Sequence, residues 1–230
     1  MRDRAEGTNP FATSRITTPE MLYVFSSAEE RHQLIKRFRQ SGFAGTIHGR
    51  HGVGKTTLAL TLAHSVRHEF SHVSLLTIRG RKNVQHLWDR VCENDSERLS
   101  RTLWIIDGCE RVSPLPRLIM LRHLLSRGDG VIATTHSTFA RLLSTPLLRP
   151  ITQLTPQFSD FKRIVHALMK DKPLMFDNAT LEDVFSKSNG NFRTAFSHLY
   201  DRYDCVFNDS STDPSIVDQV AVSYLPQPRS

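Results

Sequence analysis

Ala44-Gly45-Thr46-Ile47-His48-Gly49-Arg50-His51-Gly52-Val53-Gly54-Lys55-Thr56 is the stretch on which the fold turns. Residues 44–48 are short and largely apolar, which predicts a strand, and residues 49–56 satisfy G-x-x-x-x-G-K-[ST]. Beyond them Leu58, Leu62, Val66 and Phe70 recur at helical spacing. Glycines in such a loop let backbone N–H groups turn inward around phosphate oxygens, and the helix that begins there adds its positive dipole end. Lys55 is expected to meet the β and γ phosphates, and Thr56 to offer its hydroxyl to Mg2+. Gly49, Arg50, His51, Gly52, Val53, Gly54, Lys55 and Thr56, with the adjoining Thr57, are therefore the candidate nucleotide-binding residues.

Upstream, residues 1–20 contain Gly7, Pro10 and Pro19 with little periodicity and predict a flexible lead-in. Ser27 followed by Glu30 reads as a capping box for a helix whose apolar face is Leu34, Ile35 and Phe38 and which ends near Gln40, before Gly42. Downstream, residues 73–78, 103–106, 131–135 and 151–155 read as strands, the last framed by Pro150 and Pro156. Between them Val84, Leu87, Trp88 and Val91 mark one helix face, and Leu118, Leu121 and Leu125 another, broken by Gly128 and Gly130. Residues 138–143 predict a short helix. Strands alternating with helices predict a parallel sheet covered on both faces.

After Pro156 every apolar cluster has helical spacing: Phe161, Ile164, Val165 and Leu168; then Leu181, Val184 and Phe185; then Phe192, Ala195, Phe196, Leu199 and Tyr203. Ser159 and Thr180 are the expected N-caps, and Gly190 separates the last two helices. Phe192, Phe196 and Tyr200 at this spacing are read as core rather than a base-stacking platform. Residues 208–230 are rich in Ser, Asp and Pro and predict a loose tail. The expected organisation is a lead-in over 1–20, a nucleotide-binding domain over 21–156, a helical subdomain over 157–207 and a tail over 208–230.

The chain has 230 residues, 39% hydrophobic and 23% charged, which fits one globular domain with a small appendage. No stretch approaches the roughly 18 apolar residues of a membrane span, and the charged N-terminus lacks the apolar run of a signal peptide, so a cytoplasmic location without a membrane partner is expected. Cys92, Cys109 and Cys205 are widely spaced and suggest neither a disulfide framework nor a zinc site. The net charge of +7 permits nucleic acid or acidic partners. Yet no run reaches five basic residues and no basic block is interleaved with aromatics, so the sequence alone assigns no nucleic-acid site.

Residues 102–107 form an apolar strand ending in Asp107, the place from which a carboxylate reaches a magnesium shell at the C-terminal edge of a sheet. Thr56 and Asp107 are thus the metal candidates. Glu110, three residues on, is a candidate general base. Residues 131–135 with His136 form a second apolar strand with a polar end, where Thr135 is the candidate to sense a γ-phosphate, with His136 and Thr134 as alternatives. His48 and His51 flank the loop without other residues at metal-ligand spacing, so no transition-metal site is expected.

The ordered series of Gly49 to Thr56, Leu103 to Asp107, Thr134 to His136, Leu147-Leu148-Arg149 before a last strand, and Gly190-Asn191-Phe192-Arg193 in a helical tail resembles the AAA+ ATPases. With Asn9-Pro10-Phe11 and Leu199-Tyr200-Asp201 added, it also resembles a group of small bacterial P-loop proteins, a likeness that names no substrate. The resemblance implies a three-layer P-loop NTPase domain of α/β class, with a five-stranded mainly parallel sheet and a small C-terminal helical lid. It implies ATP as the nucleotide, in accord with the lack of an N-K-x-D guanine motif. It also implies that Arg149 is an arginine finger serving a neighbouring subunit, with Arg141 a weaker substitute, and that Arg193 is a second sensor. The departure is Gly108, which stands where many such ATPases carry a glutamate directly after the aspartate.

Lys55, Asp107, Glu110, Thr135, Arg149 and Arg193 are accordingly the expected catalytic residues. Three functions are compatible with them. One is a Mg2+-dependent ATPase of homo-oligomeric type that moves a protein partner. Another is a nucleotide-dependent switch with little turnover. The third is a kinase of a small acceptor, with Arg79 and Arg81 at the acceptor site.

Overall fold

A computed structural model describes residues 9–12, 23–78, 89, 100–136, 147–170 and 175–208. The expected helix face of Val84, Leu87, Trp88 and Val91 and the expected helix over residues 138–143, together with Arg79, Arg81, Cys92 and Arg141, lie outside the described residues, as does the tail beyond Asn208. Among the described residues no helix is long and apolar enough to cross a membrane.

Chain contacts divide the molecule into two units, one of Leu22–Thr155 and one of Met1–Met21 with Pro156–Ser230. The first begins with α1 (Ala28–Gln40), whose N-cap Ser27 accepts from the Glu30 N–H at 3.0 Å. The Glu30 carboxylate reaches back to the Ser26 N–H at 2.7 Å, one residue earlier than the capping pattern implies. It continues through β1 (Ala44–Gly49), α2 (Lys55–Ser65), β2 (His72–Thr77), β3 (Thr102–Asp107), α3 (Pro114–Ser126), β4 (Gly130–Thr135) and β5 (Arg149–Leu154).

The strands form one parallel sheet in the order β2-β3-β4-β1-β5. Strand alternation sorts their side chains to two faces. Ile47, Leu103, Ile105 and Ile132 meet Leu58, Leu62, Leu34 and Phe38 of α2 and α1, while Trp104, Ile106, Val131 and Ala133 meet Met120, Leu121 and Leu124 of α3. Helices thus cover both faces, as the alternating pattern predicts. The apolar face of α3 is rotated from the expected stripe: Leu118 is exposed, and Arg117 is buried in its place.

β5 starts two residues before the expected 151–155. Its partner β1 pairs Thr46 with Pro150 and then Ile47 with Thr152, so the ladder bulges at Ile151. An edge strand tolerates a proline because a bulge and an open side absorb its missing donor.

The second unit packs α4 (Phe158–Leu168), α5 (Asn178–Lys187) and α6 (Phe192–Asn208) around Phe161, Val165, Leu181, Val184, Phe192, Phe196 and Leu199. Ser159 lies inside α4, whose N-cap is Gln157, and Asp177 rather than Thr180 caps α5 by accepting from the Thr180 N–H at 2.8 Å. Within the stretch expected to be a loose lead-in, Asn9–Ala12 is packed. Phe11 is buried among Phe176, Phe196 and Tyr203, and Asn9 Nδ2 donates to the Tyr200 carbonyl at 3.0 Å and to Asp204 Oδ1 at 2.7 Å.

Candidate nucleotide site

All five strands run the same way, so β1, β3 and β4 deliver their last residues to one edge of the sheet. The loop after β1 lies there. It ends at Gly54, the N-cap of α2, with φ +89 in the left-handed region that side-chain-bearing residues rarely adopt, and no side chain caps the helix. Lys55 is buried, and its Nζ donates to the carbonyls of Gly49 and Arg50, both at 2.7 Å. The loop therefore wraps its own lysine, which fixes the ammonium at the edge of the sheet.

Three consecutive polar residues at the end of β4 have three different partners. Thr134 donates to Asp107 Oδ1 and accepts from the Gly108 N–H at 3.1 Å, so it clips the end of β4 to the end of β3. Thr135 points to the opposite side, where its hydroxyl meets His48 Nδ1 at 2.7 Å, while His48 Nε2 meets Thr46 Oγ1 at 2.8 Å. His136 turns back to the loop, with Nδ1 3.3 Å from Lys55 Nζ and its ring 3.4 Å, centroid to centroid, from that of exposed His51. The alternation of the strand makes this separation, and it directs Thr135 away from the lysine that a sensing hydroxyl would have to approach. Of the three candidates His136 is the one beside Lys55.

Burial lowers the pKa of His136, the neighbouring Lys55 lowers it further, and Glu110 opposes both. Burial alone lowers that of His48. Neutral imidazoles are thereby favoured at both positions.

Glu110 sits in the short 3-10 turn Cys109–Arg111 that follows Gly108. Its Oε1 lies 3.1 Å from His136 Nε2, an ion-pair distance without hydrogen-bond alignment, and neither carboxylate oxygen makes a hydrogen bond within the described structure. The backbone at Gly108 explains why no glutamate follows Asp107 directly. Its φ is +80, and a Cβ there would stand 2.9 Å from the Ile78 carbonyl oxygen. A glutamate cannot occupy that position without moving backbone, and the turn instead brings the acid of residue 110 to His136.

Arg117, which the sequence analysis did not single out, supports that turn from below. It is buried on α3, with Nη1 3.5 Å from the Cys109 carbonyl and 3.3 Å from that of Val112. An arginine in the second turn of an amphipathic helix carries no sequence signal that distinguishes it from a solvated one. Cys109 beside it is a core thiol, pushed up to about 12 by burial.

Arg149 opens β5 opposite Gly45, at the N-terminal edge of the sheet, and is exposed. Arg193 is exposed in the first turn of α6, where Asn191 Oδ1 accepts from its N–H at 3.1 Å.

No protein-family model matches the chain, and no curated protein sequence does so. Solved structures do. AMPPCP-bound DnaA from Aquifex aeolicus aligns with a TM-score of 0.55 at 13% identity, over 79% of this chain and 62% of that one. A DNA replication initiation factor aligns with the same TM-score, 0.55, and 13% identity. The replication initiator DnaA bound to AMPPCP and single-stranded DNA gives 0.51 at 14% identity, over 91% of this chain and 74% of that one. The chain spans 62% of the length of the first two, less than two thirds. At such identity the likeness is one of fold: the chain shares the α/β P-loop fold, with its five-stranded parallel sheet, of these solved structures.

Proposed function

We propose that the glycine-loop edge binds ATP with Mg2+ and that the chain is an AAA+-like ATPase, coupling nucleotide binding or hydrolysis to a conformational change that acts on a protein partner. The observation that carries this reading is the convergence of Lys55, Asp107, Thr134, His136 and Glu110 on the edge where the loop enters α2. A buried ammonium, an uncapped helix N-terminus and a glycine-rich loop make an anion site. The donor set fits magnesium, which prefers carboxylate and hydroxyl oxygens, and Thr56 and Asp107 are the residues to hold it. When bound, the ion neutralises charge on the phosphates.

In this reading Lys55 orients the phosphates, and His136, in place of Thr135, senses the γ-phosphate. Glu110 is the base that orients water. A carboxylate screened from solvent without a hydrogen bond is costly unless a ligand or water completes it, which favours a working role over a structural one. Arg149 would act on a neighbouring subunit's site and Arg193 as the second sensor, both on the family resemblance.

The approach of His136 to Glu110 also supports a switch with little turnover, since an imidazole 3.1 Å from the carboxylate stands where a water oriented by that acid would have to sit. The two readings share the binding step. Titration of ATP into Lys55→Ala is expected to show affinity lower by about 10–100-fold, the worth of a charge-assisted hydrogen bond to phosphate. Unchanged affinity would remove the basis of both. Turnover by Glu110→Gln then separates them: a loss with retained ATP affinity is expected of the ATPase, and no change of the switch.

A further inference from the structure

The starts of the parallel strands form the edge of the sheet opposite the glycine loop, and positive charge collects there. From Arg31 to Ser41, α1 and its C-cap carry Arg31, Lys36, Arg37 and Arg39 and no carboxylate. Lys36, Arg37 and Arg39 are exposed, with Lys36 and Arg39 three residues apart on one face. The turn that leads into β2 adds exposed Arg67 and His68, and Arg101, just before β3, lies 5.0 Å over the ring of Phe70 and 5.8 Å from that of Phe43. Arg39 Nε meets Glu69 Oε1 at 2.7 Å, which ties α1 to that turn and makes the cations one continuous band.

Among the described residues two acids lie in this band, and both are engaged. Glu69 is paired with Arg39. Asp129 is buried, accepting from the Thr102 N–H at 2.9 Å and from Trp104 Nε1 at 3.1 Å, with Arg127 at 3.7 Å. The band therefore keeps a net positive charge. The C-terminal dipole of α1 accounts for Arg37 and Arg39 in its last turn but not for Lys36, Arg67 or Arg101.

A merely solvated helix face tends to alternate signs. α5 does so, with Asp183 and Lys187 paired at 2.9 Å one turn apart. On α1 like charges are crowded instead, at a cost in self-repulsion that an external polyanion would relieve. The aromatic rings in the band are packed edge to face among Phe38, Phe43 and Phe70, and no large apolar side chain of α1 is exposed, so a lipid bilayer finds little to insert.

We propose that this N-terminal edge of the sheet, formed by α1, the Arg67–Glu69 turn and Arg101, binds the phosphodiester backbone of a nucleic acid. Recognition is by charge, without base readout, because among the described residues the band presents cations and no exposed phenylalanine, tyrosine or tryptophan ring on which a base could stack. The surface lies at the opposite edge from the proposed ATP site and its function does not depend on that site.

The test uses the full chain and a fluorescein-labelled DNA of about 20 nucleotides, longer than the roughly 4–16 that one small domain covers, as a single strand and as a duplex. Lys36→Glu/Arg37→Glu/Arg67→Glu reverses three exposed cations of the band and leaves Arg101 in place over its rings. Anisotropy should show binding weakened at least about tenfold, and the slope of log K against log salt reduced by about 2 on single strands or about 2.7 on duplex for three lost contacts. Lys36→Gln/Arg37→Gln/Arg67→Gln should show a smaller loss in the same direction, which keeps the result readable if the reversal disturbs folding.

ATP affinity should be the same in all variants, and Arg122→Glu/Lys162→Glu/Lys170→Glu, equal in charge change but outside the band, should bind DNA as the unaltered chain does. Retained DNA binding in both band variants, an equal loss in the outside variant, or capture of phosphatidylserine vesicles without binding of either DNA would each overturn the proposal. Preference for one DNA form would identify the partner within it.

Discussion

A single backbone angle decides how the candidate base is presented. Gly108 follows Asp107, and its left-handed conformation starts the turn that sets Glu110 3.1 Å from His136. Asp107 was legible because an apolar strand ending in a carboxylate is an unusual pattern with a mechanism. The absence of a glutamate at position 108 was legible too, but its cause was not, since the neighbouring Ile78 carbonyl comes from another segment of chain. Replacing Gly108 with glutamate, to restore the commoner pattern, is therefore expected to damage the protein rather than activate it. Left-handed strain for a side-chain-bearing residue is about 1–2 kcal/mol, so Gly108→Ala should lower the melting temperature by about 2–8 °C. The 2.9 Å approach to Ile78 O makes Gly108→Glu at least as costly. Thermal unfolding with ATPase rates measured on the same samples checks this, and a Gly108→Glu chain with unchanged melting and faster turnover would contradict the account.

Elements were read from the sequence more securely than their joins. The helix after the glycine loop, the strands on either side of α3 and the three C-terminal helices follow apolar periodicity, which depends on each segment alone. What periodicity omits is cross-strand partnership. At this polar strand end Thr135 is the expected sensor, with His136 and Thr134 as alternatives, and only the pairing of His48 with Thr135 in the β1–β4 ladder shows that its hydroxyl meets a side chain of the neighbouring strand. The β5 boundary and the phase of α3 shifted for the same kind of reason, one through pairing with β1 and the other through the buried Arg117. His48 gives this interface a pH dependence. Burial holds its pKa below 6.5, so the unfolded chain takes up a proton at higher pH than the native one does. Stability from this group is complete above the unfolded value and declines as pH falls through it toward the lower native value. Denaturant unfolding across that window should show stability decreasing with acidification, less steeply in His48→Gln, with a remainder from His136, whose pKa is lowered as well. An identical slope in the two chains would mean that the histidine titrates in the native sheet as it does in the unfolded chain.

At the level of the whole molecule, the order of motifs along the chain says more than their local chemistry. Asn9–Ala12 joins the C-terminal helices across nearly the full sequence, through Phe11 and Asn9, a closure that no local periodicity announces. Arg149 is a similar case. In its own chain it stands opposite Gly45 at the start of β5, whereas Leu154 at the other end stands opposite Gly49, where the loop begins. At about 3.3 Å per residue, the four residues from Gly45 to Gly49 put Arg149 roughly 13 Å down the sheet from the loop. If it assists hydrolysis, it does so on another copy. Specific ATPase activity should then rise with protein concentration. Arg149→Ala, which keeps its own loop, and Lys55→Ala, which keeps its own arginine, should each be inactive alone and regain activity on mixing, because one interface of the mixed assembly combines an intact loop with an intact arginine. An arginine finger contributes about 10³–10⁵ in rate, so even a minority of such interfaces would be readily measured. Activity independent of concentration, with no recovery on mixing, would leave Arg149 an exposed residue at the end of an edge strand and favour the switch over the ATPase.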